Sequence, residues 1–177
     1  MIKKAFFLLL IASNLYADEN YSPTDEYSHR DILKYREIIY KVPADLFLKN
    51  TVKSMYSIPP KINNDLEVRP SDIILKEDNT VSVWATMFIR YNDKKNNLLV
   101  GDIVKQNYGI NCYDYTYKLN SFITYRKNQV VKSSDFHNNN YIDIIPQSRI
   151  AAVATRSCMF QSALERKKEL LIEQVEN

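Results

Sequence analysis

Hydrophobic and polar positions alternate most regularly over residues 80–91, which read Thr-Val-Ser-Val-Trp-Ala-Thr-Met-Phe-Ile-Arg-Tyr. β-Branched and aromatic residues dominate this stretch and no Gly or Pro interrupts it, which is typical of a strand. Successive side chains of a strand point to opposite faces, so one face carries an apolar set: Val81, Val83, Ala85, Met87 and Ile89. Trp84 and Phe88 fall on the other face, among polar side chains. The pattern predicts a central strand with one core face and a second face that is at least half covered.

Shorter strand patterns surround this strand, and helical patterns lie towards both ends of the chain. Helices are predicted at residues 23–40, at residues 43–50 and from Met159 onwards. Turns are predicted at polar segments and at Tyr108-Gly109. The strand-like runs are residues 64–68, 72–76, 98–107, 110–119, 120–125, 130–134, 141–145 and 149–155. We therefore expect an α+β fold, a mainly antiparallel sheet of short strands flanked by helices from the two ends of the chain.

Residues 1–17 have the layout of a secretory signal peptide, with two lysines, an apolar run and a region of mostly small residues. Cleavage after Ala17 would leave a chain that begins at Asp18. Leu15 is larger than the residue preferred at its position, so retention as an N-terminal anchor is the alternative. The remaining chain is expected to divide at Pro59-Pro60, because neither proline can continue a helix. The two parts are a helical segment, residues 18–60, and a sheet domain with the C-terminal helix, residues 61–177.

Nothing after the predicted signal is apolar over a length that could cross a bilayer. No Cys lies near the cleavage site to carry a lipid. We therefore expect neither a transmembrane segment nor a lipid anchor. Loss of Lys3 and Lys4 with the signal lowers the formal net charge from +3 to +1. So weak a charge does not favour nucleic acid as a partner.

Cys112 and Cys158 are the only cysteines of the chain. In an oxidising compartment, two cysteines form a structural disulfide more often than a metal site or a catalytic nucleophile. We predict a bridge between Cys112 and Cys158 that fastens the C-terminal helix to the sheet.

Residues that catalysis and cofactor binding require are scarce in this sequence. Gly101 and Gly109 are the only glycines, and neither belongs to a phosphate-binding loop. His29 and His137 are the only histidines, and they lie far apart without a neighbouring Cys. No Ser lies in a nucleophile-elbow context. We predict a protein that is not an enzyme and that holds no cofactor and no metal.

Three groups of residues are candidates for binding another protein. Tyr113, Tyr115 and Tyr117 alternate onto one face of the predicted strand at residues 110–119. They form either a partner surface or a buried layer under a helix, and the buried layer is the interpretation we favour. Lys94 and Lys95 could meet an acidic partner, although short charge runs are usually only solvated. Trp84 and Phe88 are the candidates on the central strand.

Several motifs recur in an order and spacing that resemble one known family. They are Asp-Ile-Ile and Asn-Thr-Val-Ser-Val-Trp within residues 72–84, Asn111-Cys112, Tyr125 with Asn-Gln-Val-Val at residues 128–131, Ile-Ile-Pro-Gln-Ser at residues 144–148, and Cys158. This set, spread over residues 64–160, resembles the surface-adhesin protein E family of Gram-negative bacteria. The resemblance does not extend to residues 18–57.

The resemblance implies a flat antiparallel sheet with a C-terminal helix, tethered by one disulfide between Cys112 and Cys158. It implies no catalytic residue. The type member of that family is an outer-membrane adhesin that binds host matrix proteins such as vitronectin and laminin and can form dimers. This sequence departs from the type member because it lacks the lipid-bearing Cys, which leaves open whether it is displayed at the surface.

We therefore expect an exported, non-enzymatic binding protein that engages a protein partner, with host extracellular matrix as the partner class that the resemblance implies. Its expected location is the periplasm, the cell surface or the medium of a Gram-negative bacterium. The same resemblance implies that two copies can pair. The alternative is a structural or accessory periplasmic protein whose N-terminal helices dock on an envelope complex.

Overall fold

A computed structural model of the chain describes residues 29–51, 61–63, 65–76, 78, 80–137 and 140–176. The helices are α1 (His29–Tyr40), the single turn α2 (Ala44–Leu46), which a π-helical turn (Phe47–Thr51) follows, and α3 (Arg149–Glu176). The strands are β1 (Lys61–Asn63), β2 (Leu66–Glu67), β3 (Ile73–Leu75), β4 (Thr80–Phe88), β5 (Ile103–Asn111), β6 (Thr116–Arg126), β7 (Gln129–Asp135) and β8 (Ile142–Asp143). The predicted α+β class is confirmed. The predicted signal peptide and the Pro59-Pro60 boundary lie outside the described residues.

The eight strands of the described part of the chain form one antiparallel sheet in the order β1-β2-β4-β5-β6-β7. β3 pairs with β4 beside β2, and β8 pairs with β6 beside β7. The long strands β4, β5 and β6 are neighbours along the chain and in the sheet. They form its centre, as the alternation in residues 80–91 predicts.

The core lies on the face of the sheet that α3 covers. Val81, Val83 and Ala85 of β4 are fully or almost fully buried there, which confirms the predicted core face. Residues 151–158 of α3 are all buried, on every side of the helix. Alanines at 151, 152 and 154 let this part of α3 lie close to its neighbours, since their side chains are small.

The prediction of a strand at residues 149–155 is wrong, because these residues form the first two turns of α3. A short apolar run without polar positions has no period, so its pattern does not separate a buried strand from a buried helix. The start of the helix is set by Ser148. Its side chain accepts a hydrogen bond from the Ala151 N–H at 3.1 Å, which satisfies one of the free amide groups of the first turn.

The predicted disulfide is confirmed: Cys112 and Cys158 are bonded, with a Cα–Cα distance of 5.5 Å. Cys112 lies in the turn at residues 112–115, between β5 and β6, and Cys158 lies in the buried part of α3. The bond therefore ties one end of the sheet to the helix that covers its core face.

The turn at residues 112–115 also corrects the predicted strand at residues 110–119. The Asn111 side chain makes this turn, since its Oδ1 accepts the N–H groups of Tyr113 at 3.0 Å and Asp114 at 3.2 Å. Tyr115 follows with a left-handed backbone, φ 54°. The predicted turn at Tyr108-Gly109 is accordingly wrong, because these residues continue β5.

Helix α1 packs against the part of α3 that follows Cys158. Ile32 and Ile39 of α1 are buried in the same apolar core as the sheet residues. At the surface of this contact, the Tyr40 hydroxyl donates a hydrogen bond to Glu169 at 2.8 Å, and Arg36 lies 3.9 Å from a carboxylate oxygen of Glu165. The apolar stripe of α1 is thus used within the chain. The division into residues 18–60 and 61–177 stays a prediction.

The double variant Cys112→Ser/Cys158→Ser should lower the free energy of unfolding by about 4 kcal/mol, because the bridge closes a loop with a sequence separation of 46 residues. Urea unfolding under non-reducing conditions measures this change. Wild-type protein treated with a reductant is the control and should show the same loss. An unchanged midpoint in both samples would contradict a stabilising bridge.

Candidate binding surfaces

The face of the sheet opposite α3 is the first candidate surface, and we call it the open face. It carries Ser82, Trp84, Thr86 and Phe88 of β4, Ile103, Lys105 and Asn107 of β5, and Ser121, Ile123 and Tyr125 of β6. None of its apolar side chains belongs to the described core or packs against it. Trp84 and Phe88, which the sequence singles out, therefore lie on this face as predicted.

Apart from Trp84 in the middle of β4, the larger apolar side chains of the open face lie towards one end of the strands. Phe88 lies opposite Ile103, and Ile103 lies opposite Tyr125. Directly paired residues on neighbouring strands are about 5 Å apart, so the three side chains form a continuous row across β4, β5 and β6. All three are partly exposed. The row offers a partner an apolar strip that ends in a tyrosine.

A polar ladder crosses the middle of the open face. The Asn120 side chain donates to Asn107 Oδ1 at 2.8 Å, and Asn107 Nδ2 donates to Ser82 Oγ at 3.3 Å. Asn120 is the extra residue at an irregularity of register between β5 and β6. The ladder satisfies the side-chain amide of Asn107, which is only 9% exposed, and it carries no net charge.

The second candidate surface is the hairpin that joins β4 to β5, residues 89–102, which we call the 89–102 hairpin. Ile89 donates to the Asp102 carbonyl and accepts from the Gly101 N–H, both at 2.9 Å. Nearer the tip, Asp93 and Leu98 exchange two backbone hydrogen bonds of 2.9 Å. Lys94 and Lys95 lie at the tip and are exposed. The pattern of residues 98–107 predicts a strand there, but the strand begins only at Ile103.

A buried ion pair fixes this hairpin to the end of β6. Asp102 is only 1% exposed, and both of its carboxylate oxygens accept hydrogen bonds from Arg126, at 2.9 and 2.8 Å. Arg126 also donates to the Asn97 carbonyl at 3.2 Å, and Asp102 accepts the Leu99 N–H at 2.8 Å. The hydrogen bonds from Arg126 and the Leu99 amide lower the pKa of Asp102 from 3.8 to about 2.

The 89–102 hairpin exposes apolar side chains despite its fixed backbone. Tyr91 is 84% exposed, Val100 61% and Leu99 44%. The sequence singles out Lys94 and Lys95 in this hairpin but not Leu99 and Val100, because the apolar run of residues 98–100 is typical of a strand. Gly101 is the signal that separates them from β5, since its φ of +87° makes a turn that favours glycine.

The three predicted tyrosines do not form a row. Tyr113 is exposed in the turn at residues 112–115, Tyr115 is buried in the same turn, and only Tyr117 belongs to a strand, where it faces the core. Tyr115 stacks on His29 at a ring distance of 5.1 Å, and the Arg36 guanidinium lies 5.4 Å from the Tyr113 ring centre. The tyrosines hold the turn against α1. They lie at the opposite end of β5 from the 89–102 hairpin.

A cleft beside the disulfide, between α1, α3 and the turn at residues 112–115, has a volume of about 90 Å³. This is too small for an ordinary substrate or cofactor, whose pockets measure about 300–1,000 Å³. His29 and Glu165 line it, and they come from different helices. In the described part of the chain, no three His, Cys, Asp or Glu side chains gather as metal ligands would.

Two groups outside this cleft have strongly shifted pKa values, and both have a structural cause. Asp102 is held ionised by Arg126. Burial raises the pKa of Tyr108, whose hydroxyl donates to Gln106 at 2.7 Å. Neither group lines the cleft beside the disulfide.

No protein-family model matches this sequence, and no curated protein or solved structure is significantly similar to it. The resemblance to the surface-adhesin protein E family therefore stays a prediction. Among the helices that the structure describes, none is long and apolar enough to span a membrane.

The substitution Asp102→Asn should remove a pH-dependent part of the stability. The folded-state pKa of Asp102 lies below its ordinary value, so its contribution is complete above pH 3.8 and is lost as the pH falls to about 2. The thermal unfolding temperature of the wild type should therefore fall more than that of the variant as the pH is lowered from 3.8 to about 2. Asp45→Asn, at an exposed position on α2, is the matched control. Parallel pH profiles of wild type and Asp102→Asn would contradict the stabilising role of the pair.

Proposed function

We propose that this protein is an exported binding protein without catalytic activity and that it engages a protein partner through its open face. The observation that carries the proposal is the position of Trp84, Phe88 and Tyr125 on a sheet face that does not contribute to the core. Aromatic side chains combine a large apolar area with few rotatable bonds, which is why they are enriched where proteins bind one another.

The polar ladder supports a protein as the partner. A partner that covers the strip formed by Phe88, Ile103 and Tyr125 also covers Asn107 and Asn120, whose amide groups already have partners within the sheet. Covering them therefore leaves few polar groups unsatisfied, and an apolar contact can extend over the ladder at little cost. Lys105 is exposed on the open face and can meet an acidic side chain of a partner, and Asp135, which pairs with Ser121, is exposed there and can meet a basic one.

Export is supported by the disulfide, since such bonds persist in oxidising compartments. The resemblance to the protein E family gives vitronectin and laminin as the first partners to test. Pairing of two copies, which the same resemblance implies, stays a prediction. For the alternative role as an accessory periplasmic protein, α1 is a weaker docking element than its sequence suggests, because its buried residues Ile32 and Ile39 pack within the chain.

Binding to immobilised vitronectin and laminin should be weakened about tenfold or more by Trp84→Ala and by Phe88→Ala. Truncating a central aromatic residue of an interface typically has an effect of this size. Surface plasmon resonance at physiological salt measures the change, with thermal unfolding as the check that each variant is folded. Tyr113→Ala and Phe136→Ala are the matched controls, because both remove exposed aromatic side chains away from the open face.

Equal losses in the control variants would contradict the open face as the contact surface. Absence of binding by the wild type to either matrix protein would contradict the adhesin form of the proposal. Cross-linking in cells could instead isolate a stable complex with a periplasmic protein that Trp84→Ala abolishes. That result would support the open face as the contact surface but would show that the partner is periplasmic and not a matrix protein.

A further inference from the structure

The 89–102 hairpin exposes three apolar side chains to solvent, at positions where polar side chains would be equally compatible with the backbone. Tyr91 lies on its outgoing segment, and Leu99 and Val100 lie on its returning segment. The Asn92 side chain accepts the Val100 N–H at 2.9 Å, so the two segments are adjacent at this point. The three exposed side chains therefore lie on adjacent segments of one hairpin, and we call them the apolar patch.

The backbone that carries these three exposed side chains is held by hydrogen bonds at its tip and by an ion pair at its base. The Asp93 side chain accepts the Asn96 N–H at 3.2 Å and its side-chain amide at 2.7 Å, which closes the turn at the tip. The Asp102–Arg126 pair fixes the base of the hairpin. A patch that is held in place before contact loses little conformational freedom when it binds.

The residues around the patch carry more positive than negative charge. The carboxylates of Asp65 and Asp102 are paired with Arg90 and Arg126, whereas Asp93 is bound by the neutral amide of Asn96 and keeps its negative charge. Lys94 and Lys95 are exposed at the tip, and Lys127 is exposed in the turn between β6 and β7. That turn is adjacent, because Arg126 reaches the Asn97 carbonyl of the hairpin. The surroundings of the patch therefore carry an excess of positive charge, from three exposed lysines against the single carboxylate of Asp93.

We propose that the 89–102 hairpin is a membrane-contact site that places Tyr91, Leu99 and Val100 at the surface of an anionic phospholipid bilayer. Tyrosine suits the interface between water and hydrocarbon, and lysines next to it can keep their charged ends at the level of the headgroups. Anionic lipids attract such lysines through their surface potential. Three side chains on a protruding hairpin are too few for a protein interface of ordinary size, which involves about 20–30 residues on each side.

This contact differs from the proposed protein-binding role and uses other residues. The 89–102 hairpin continues β4 and β5 beyond their paired ends, so its contact with a bilayer leaves Trp84 on the open face away from the lipid. A bilayer contact of this kind needs neither a transmembrane helix nor a lipid anchor. One small apolar patch with a few lysines gives reversible binding that salt weakens.

Co-sedimentation with vesicles tests the proposal, using the protein in the form that the cell exports, with the same N-terminus in every variant. Wild-type protein should bind vesicles made of an equal mixture of phosphatidylglycerol and phosphatidylcholine. It should bind vesicles of pure phosphatidylcholine far less, and sodium chloride should release it from the mixed vesicles. Lys94→Gln/Lys95→Gln should lower the partition coefficient by about an order of magnitude or more. Tyr91→Ser/Val100→Ser should lower it severalfold or more.

Matched controls carry the same changes at distant positions. Lys167→Gln/Lys168→Gln removes two lysines from α3, and Ile145→Ser removes an exposed apolar side chain next to Ile144, whose N–H binds the Tyr115 carbonyl at the opposite end of the sheet. Both should bind vesicles like the wild type. Losses in these controls equal to those of the hairpin variants would overturn the proposal.

Fluorescence gives a second, independent measurement, because Trp84 is the only tryptophan of the chain. In a Trp84→Phe/Tyr91→Trp variant, brominated phospholipids should quench the emission, whereas Trp84 of the wild type should not be quenched. Absence of vesicle binding by the wild type, or release by inorganic phosphate at an ionic strength where chloride has no effect, would overturn the proposal. So would binding to polyglutamate without binding to vesicles, since it would assign the hairpin to an acidic polypeptide.

Discussion

The structure depends on the complete burial of one helical segment, residues 151–158 of α3, at the centre of the molecule. This segment covers the apolar face of β4 and ends at Cys158, which the disulfide fixes to the turn after β5. Because the bond lies at the end of the buried segment, it limits both the position and the rotation of α3 on the sheet. The following turns of α3 then receive α1 in a defined place, so the N-terminal helix joins the same core.

A second constraint acts at the other end of the sheet. Burying the Asp102 carboxylate is unfavourable unless its charge and its hydrogen bonds are satisfied, and Arg126 satisfies both oxygens in a paired geometry. Such a pair offsets the cost of burial only when its geometry is good and its hydrogen bonds are complete, as they are here. Its geometric effect is clear here, because it joins the base of the 89–102 hairpin to the end of β6 and so determines where Tyr91 and Val100 are presented.

The sequence predicts the parts of this fold that depend on local pattern. The alternation in residues 80–91 identifies β4, its core face and the side of the sheet to which Trp84 and Phe88 belong. Features that depend on a single side chain or on a distant partner are missed: the turn that Asn111 makes, and the pairing of Asp102 with Arg126 across 24 positions of sequence. The start of α3 is missed for a different reason, since an unbroken apolar run has no period from which helix and strand can be distinguished.

The same alternation explains why the two surfaces differ in character. Along β4, residues that point into the core alternate with residues on the open face. If all the open-face residues were apolar, this face would favour association of one sheet with another. The ladder of Ser82, Asn107 and Asn120 interrupts that surface and confines the apolar strip to the end of the strands near Phe88. The 89–102 hairpin begins at this end. The exposed aromatic residues of the sheet, Trp84 and Phe88, and Tyr91 of the hairpin are therefore close along the chain but belong to different elements, as the two proposed contacts require.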